Sequence, residues 1–198
     1  VIVESLQRGK HNRLAFRCGT ESLDRFLHEH AHQAASKGLS KTYVAVDEGG
    51  EAAILGYYSL TTCRVEPGEL PEAVVKTLRL PRHQLPAVLI ARLAVAVGAS
   101  GQGIGTGMVV DAMTRCARVA AEIGGVAIVV DAIDLRASLF YERLGFKRVA
   151  PGSMRMFIPM ASVRGVLGAI EEGRRRAGRI ADRISFAPPR RGGTKKAA

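Results

Sequence analysis

An apolar run, Arg92-Leu93-Ala94-Val95-Ala96-Val97, ends in Gly98-Ala99-Ser100-Gly101-Gln102-Gly103-Ile104-Gly105. Gly101, Gly103, Gly105 and Gly107 are more glycines than a turn needs, and close approach of a ligand to backbone supplies the further reason. A helix starting at about Ile104 and running to Ile123 would aim free N–H groups at one point beside its N-terminus, which makes a phosphate cradle. Further on, Leu139-Phe140-Tyr141-Glu142-Arg143-Leu144-Gly145-Phe146 sets a phenol on a second helix. A phenol with a pKa near 10 keeps its proton at neutral pH and can act as a general acid. Together these segments suggest an enzyme that holds a phosphorylated cofactor and uses a tyrosine. The loop is not a Walker A motif, because no Gly-Lys-Ser/Thr follows, and its glycine spacing is not a Rossmann fingerprint.

The elements that must position these residues alternate between strand and helix. Val1–Leu6 reads as an edge strand, and a helix capped at Thr20 or Ser22 runs to about Lys37. Thr42–Asp47 and Ala53–Thr62 read as a hairpin around Asp47-Glu48-Gly49-Gly50-Glu51. Val65–Pro86, with four prolines, reads as a loop holding a short helix at Glu72–Thr77. Ala87–Val97 is a long apolar strand of the kind buried on both faces. Val126–Asp131 is a buried strand, Arg136–Leu144 a short helix, and Phe146–Val149 and Met154–Ile158 close the fold as strands. This order predicts an α/β (α+β) fold with a largely mixed sheet.

Two regions are expected: one domain over 1–160 and a basic C-terminal extension over 161–198. Residues 161–184 read as a helix weakened by four glycines, and the remainder as disordered. The net charge is +11, and 161–198 hold ten Lys and Arg against three Asp and Glu. That balance favours polyanion partners such as RNA. The three cysteines are far apart with no CxxC, which argues against a disulfide framework and a zinc knuckle. No apolar run is long enough to cross a bilayer. Val1–Leu6 has neither a basic leader nor a cleavage site, so no signal peptide is expected, and the cysteine usage makes a reducing cytoplasm the expectation. His28-Glu29-His30-Ala31-His32 matches the zincin His-Glu-x-x-His, but no third ligand is apparent, and an exposed histidine-rich face is the expectation.

The loop and the tyrosine segment together resemble the GNAT superfamily of acetyl-CoA-dependent N-acetyltransferases. Ser100-Gly101-Gln102-Gly103-Ile104-Gly105 matches the Arg/Gln-x-x-Gly-x-Gly/Ala pyrophosphate loop, with Ser100 at the first position. Asp134, Ala137, Phe140, Tyr141, Gly145 and Phe146 match the Asn-x-x-Ala-x-x-Phe-Tyr-x-x-x-Gly-Phe pattern, with Asp134 in place of Asn. Phe16-Arg17-Cys18-Gly19, Ser22-Leu23-Asp24-Arg25-Phe26-Leu27, Gly56-Tyr57-Tyr58-Ser59-Leu60 and Ala91-Arg92-Leu93-Ala94-Val95 are similar to the GNAT toxins of bacterial toxin–antitoxin pairs. The resemblance spans roughly 1–160 and implies a GNAT fold, a central mixed, mostly antiparallel sheet flanked by helices.

It also implies a mechanism and its residues. Toxins of this group acetylate the α-amine of aminoacyl-tRNA and block translation. Acetyl-CoA would lie with its pantetheine arm along the backbone of Leu93, Ala94 and Val95, which would also polarise the thioester carbonyl. Its pyrophosphate would sit on Ser100, Gly101, Gln102, Gly103, Ile104, Gly105 and Thr106, with Asp134 and Ser138 as further cofactor contacts. Tyr141 would protonate the leaving thiolate. Arg92, Lys41, Arg79, Arg82 and Arg8 are candidates for guiding the tRNA acceptor stem. Implied partners are charged tRNA, a ribbon-helix-helix antitoxin through which alone DNA is met, and a second copy in a homodimer; no metal is implied. The alternatives are acetylation of a small-molecule or protein amine, and a non-catalytic module that binds nucleic acid or a partner.

Overall fold

The computed structural model describes residues 1–47, 53–77, 79–170 and 172. Among these, seven strands form one sheet in the order β1-β2-β3-β4-β5-β7-β6. They are β1 (Ile2–Ser5), β2 (Lys41–Val46), β3 (Ile54–Val65), β4 (Leu85–Val95), β5 (Ala127–Asp131), β6 (Lys147–Arg148) and β7 (Arg155–Pro159). Every pairing is antiparallel except β4 with β5. That parallel pair requires a crossover, and α3 (Ile104–Ile123) provides it. The mixed, mostly antiparallel sheet matches the expected architecture. The Asp47–Glu51 turn lies largely outside the described residues.

Helix α3 covers one face because its apolar residues recur at helical spacing. Ile104, Met108, Val109, Ala112, Met113, Cys116 and Ala120 are buried against Tyr58, Ile90, Ile128 and Met156. The fit is closest at Gly56, where an added Cβ would come within 2.7 Å of the Met108 methyl and 2.9 Å of the Ala94 carbonyl. Midway along α3, Asp111 accepts hydrogen bonds from the Tyr58 hydroxyl and from Arg115 Nε at 2.7 Å. Arg115 lies 4.1 Å over the Tyr43 ring and donates to the Val3 carbonyl. One polar cluster thus joins α3 to β1, β2 and β3.

The other face is covered by α1, residues 21–36. The sequence predicts one regular helix; the structure interrupts it. Turns Glu21–Arg25 and Ala31–Ser36 are α-helical, and Phe26–His30 between them is a π-helical turn. Phe26 and Leu27, three and four positions after Leu23, enter the core that holds Val44, Tyr57 and Ala94. Tyr57 fixes the helix by donating to the Leu23 carbonyl at 2.8 Å. α2 (Glu72–Thr77) precedes β4, and α4 (Leu135–Arg143) joins β5 to β6. Residues 160–170 form a further helix, α5, whose Met160 and Val163 enter the main core. Within the expected 161–184 helix, the part beyond 172 lies outside the described residues.

Candidate functional site

Strand β4 creates the site by leaving its neighbour. Its ladder with β5 covers only Val88, Leu89 and Ile90, opposite Ile128, Val129 and Val130. On the other side it follows β3 to Val95, with a register shift where Ser59 faces Arg92 and Leu60 faces Ile90. Ala91 is the extra residue of this bulge, and bulges bend a strand. Beyond Ile90 the β5-side edge of Ala91–Val95 has no strand beside it among the described residues, so its backbone faces a groove.

The groove has two parts, which share Ile133 and Ala137. The larger, about 1020 Å³, lies between Val95, the loop from Ala99 to Thr106, and α4. Gly101 and Gly103 have φ of +79°, the left-handed region that side chains rarely adopt. Helix α3 starts at Gly103 with no side-chain cap, and its first internal bond is from Gly107 N–H to the Gly103 carbonyl at 3.0 Å. The N–H groups of Ile104, Gly105 and Thr106 therefore lack helical partners. Added Cβ atoms at Gly101 and Gly103 would meet no protein atom within 4 Å, so the space belongs to the cleft. Free N–H groups, a helix N-terminus and an unpaired strand edge fit the phosphates and amides of acetyl-CoA.

The smaller part, about 300 Å³, is lined by Ser22, Leu23, Ile90, Ala91, Arg92, Leu93, Asp131 and Tyr141, besides the shared pair. Tyr141 is 6% exposed, with its ring between Phe140 and Phe146 at centroid distances of 5.2 and 5.4 Å. Its hydroxyl makes no hydrogen bond among the described residues. Burial pushes the Tyr141 phenol above its ordinary pKa, so it is neutral and holds its proton. Arg92 lines the same space, with its guanidinium 3.8 Å over the Phe26 ring. Asp131 is half exposed and faces Arg155 Nη1 at 3.3 Å.

Other expected site residues are placed differently. Ser138 is fully buried, its hydroxyl accepts from Arg148, and it lines neither part of the groove. Ser138 therefore lies on the inner face of α4. The Gln102 amide turns back to the Gly98 carbonyl at 3.2 Å and also lines neither part, so its side chain braces the loop. Asp134 lines the larger cleft but is committed as the α4 cap, accepting from Ala137 N–H at 2.7 Å. The Ala94 side chain packs with the α1 cluster, leaving only its backbone for a ligand. Lys41, Arg79 and Arg82 are exposed and line neither part. Arg79 and Arg82 precede β4 at Leu85, the strand end opposite the glycine loop.

The sequence reading missed Ser22, Leu23, Ile133, Arg136 and Arg143 as groove residues. Ile133, Arg136, Phe140 and Arg143 recur at helical spacing, a signal available in the sequence. No cysteine lines either part. Cys116 is buried against α3's core contacts, and burial pushes its thiol up to about 12. Among the described residues no group of three or more His, Cys, Asp or Glu could hold a metal ion. His28 instead bonds through Nε2 to the Phe16 carbonyl at 2.9 Å. No described helix is long and apolar enough to cross a membrane.

No protein-family model matches the chain. It is 27% identical over 175 residues to a probable toxin TacT of Sinorhizobium fredii, covering 84% of this chain and 95% of that protein. It is 29% identical over 154 residues to a tRNA-acetylating toxin of Mycobacterium tuberculosis, covering 78% and 89%. Among solved structures, AtaT complexed with acetyl-methionyl-tRNAfMet superposes with a TM-score of 0.76 at 28% identity, over 83% of this chain and 98% of that one. A tyrosine-to-phenylalanine variant of AtaT, bound to the C-terminus of the antitoxin AtaR and to acetyl-CoA, gives 0.71 at 25% identity, over 83% and 96%.

Proposed function

We propose that the chain is a GNAT acetyltransferase of the toxin group, an enzyme that moves an acetyl group from acetyl-CoA to the α-amine of aminoacyl-tRNA and so blocks translation. The observation that carries this reading is the junction of the phosphate cradle with the Tyr141 cavity along one unpaired strand edge. The likeness to AtaT in complex with acetylated tRNA supports the acceptor. When bound, acetyl-CoA supplies an acetyl group activated as a thioester.

The chain's own residues bind, orient and protonate. The loop N–H groups of Gly101–Thr106 hold the phosphates, and the Leu93–Val95 edge holds the amides and polarises the thioester carbonyl. An α-amine with a pKa of about 7.7–8.0 is substantially neutral at cytoplasmic pH and attacks without a strong base. Tyr141 delivers its Oη proton to the sulfur as it leaves, the acylated nitrogen sheds one proton to solvent, and solvent reprotonates Tyr141. Burial in this cavity raises the proton affinity of a thiolate for the same reason that it raises that of Tyr141. With no cysteine in the groove, direct transfer is favoured over an acyl-cysteine route. Arg92 at the cavity mouth meets the acceptor's phosphates, and Lys41, Arg79 and Arg82 add cations elsewhere on the surface. An antitoxin neutralises the chain and alone brings it to DNA. The site of action is the cytoplasm, and a homodimer is the assembly.

The deciding experiment is transfer of radiolabelled acetyl from acetyl-CoA to a pool of charged tRNAs. Deacylated tRNA and free amino acids serve as controls. Label on charged tRNA alone is expected, and fractionation gives the amino-acid preference. Label on free amines instead would replace the acceptor with a small molecule. The rate should also carry the protonation logic. Its kcat/KM rises with pH through about 8 as the amine loses its proton. It then stays level past pH 9, because burial keeps Tyr141 protonated beyond its ordinary range. A falling limb below pH 9 would exclude Tyr141 as the acid.

A further inference from the structure

Acetyl-CoA carries a pyrophosphate and a 3′-phosphate, and the glycine loop offers them backbone N–H groups and the Ser100 and Thr106 hydroxyls but no cation. From Leu93 to Thr114 the chain contains no Lys or Arg, and Ser100 stands where the resembling loops have Arg or Gln. A helix N-terminus contributes the equivalent of only about half a positive charge. The remaining neutralisation must come from another element.

The larger cleft contains two cations, Arg136 and Arg143, both on α4. They are seven positions apart and so share a helix face, with Phe140 between them. Phe140 faces the loop: an added Cβ at Gly105 would lie 3.5 Å from its ring. Both arginines are exposed, and neither makes a hydrogen bond or ion pair with a described residue. The cleft's acids are already committed. Asp134 caps α4, and Glu142 accepts from Arg148 Nε at 2.8 Å. Arg136 also occupies the first turn of α4, where the helix dipole disfavours a cation and a bound anion removes the penalty.

We propose that Arg136 and Arg143 hold the phosphates of acetyl-CoA, supplying from α4 the charge that Ser100 does not supply from the loop. This rests on the acetyl-CoA reading above. The test is calorimetric titration of the full chain with acetyl-CoA and with 3′-dephospho-acetyl-CoA. It compares the unaltered chain with Arg136→Gln, Arg143→Gln, the double variant and Arg118→Gln. Arg118 is exposed on α3, lines neither part of the groove and controls for net charge.

The double variant should raise the Kd for acetyl-CoA by about tenfold or more, the usual scale of charge-assisted bonds. Arg118→Gln should leave it unchanged. A loss that disappears with the dephospho compound places the arginine on the 3′-phosphate. An equal loss with both compounds places it on the pyrophosphate. Either result supports the proposal. Unchanged affinity in the double variant, or an equal loss in Arg118→Gln, overturns it while the cofactor reading stands. No binding by the unaltered chain overturns both.

Discussion

Tyr141→Phe is expected to lower the rate of acetyl transfer by about 10²–10⁴-fold, the range for loss of a positioned general acid. The substitution removes one oxygen and little else. The ring stays packed between Phe140 and Phe146. The hydroxyl has no partner among the described residues, so its loss leaves no donor or acceptor stranded. Stability and acetyl-CoA affinity should therefore match those of the unaltered chain, and the loss should fall on kcat. Single-turnover rates, calorimetric Kd and thermal unfolding separate these effects. An unchanged rate would remove Tyr141 from the mechanism. A slow rate with an equally weakened Kd would make it a binding residue.

The largest stability effect is expected at Tyr58, outside the groove. Tyr58→Ala should lower unfolding free energy by about 3–5 kcal/mol, the scale for truncating a buried aromatic. Tyr58 is fully buried, stacks on Tyr43 at a centroid distance of 5.2 Å, and donates to Asp111. Truncation leaves a cavity between β3 and α3 and removes one of the Asp111 donors. Tyr58→Phe keeps the volume, and Asp111 keeps Arg115, so a cost of about 1 kcal/mol is expected. Urea unfolding checks both: the midpoint should fall while the m-value holds. Equal losses in the two variants would assign the effect to the hydrogen bond instead of packing. The site would feel the change too, because α3 carries the glycine loop at its start and this cluster is one of its anchors.

The glycine loop and Tyr141 were legible because their chemistry is local. A glycine run between an apolar strand and an amphipathic helix specifies a cradle whatever surrounds it. The Phe140-Tyr141 pair at a short helix places a phenol on that helix's inner side. The orientation of Ser138 was not legible. Its spacing matches a ligand-facing helix position only if the rotation of α4 is known, and Arg148, ten residues later, draws its hydroxyl inward. The π-helical turn at Phe26–His30 was equally hidden. The helical spacing of Leu23, Phe26 and Leu27 marks the buried face, but nothing in it signals the wider turn.

By itself, the sequence determined the order of strands and helices, the glycine turn at a helix N-terminus, the candidate acid and the family it resembles. Those follow from hydrophobic period, glycine placement and short motifs, which act within a few residues. Only the tertiary structure decided that β4 parts from β5 after Ile90, that its freed edge joins the cradle to Tyr141, and that Arg92, Arg136 and Arg143 face the groove. Strand pairing and helix rotation are set by burial against distant segments, so no local window of residues contains them.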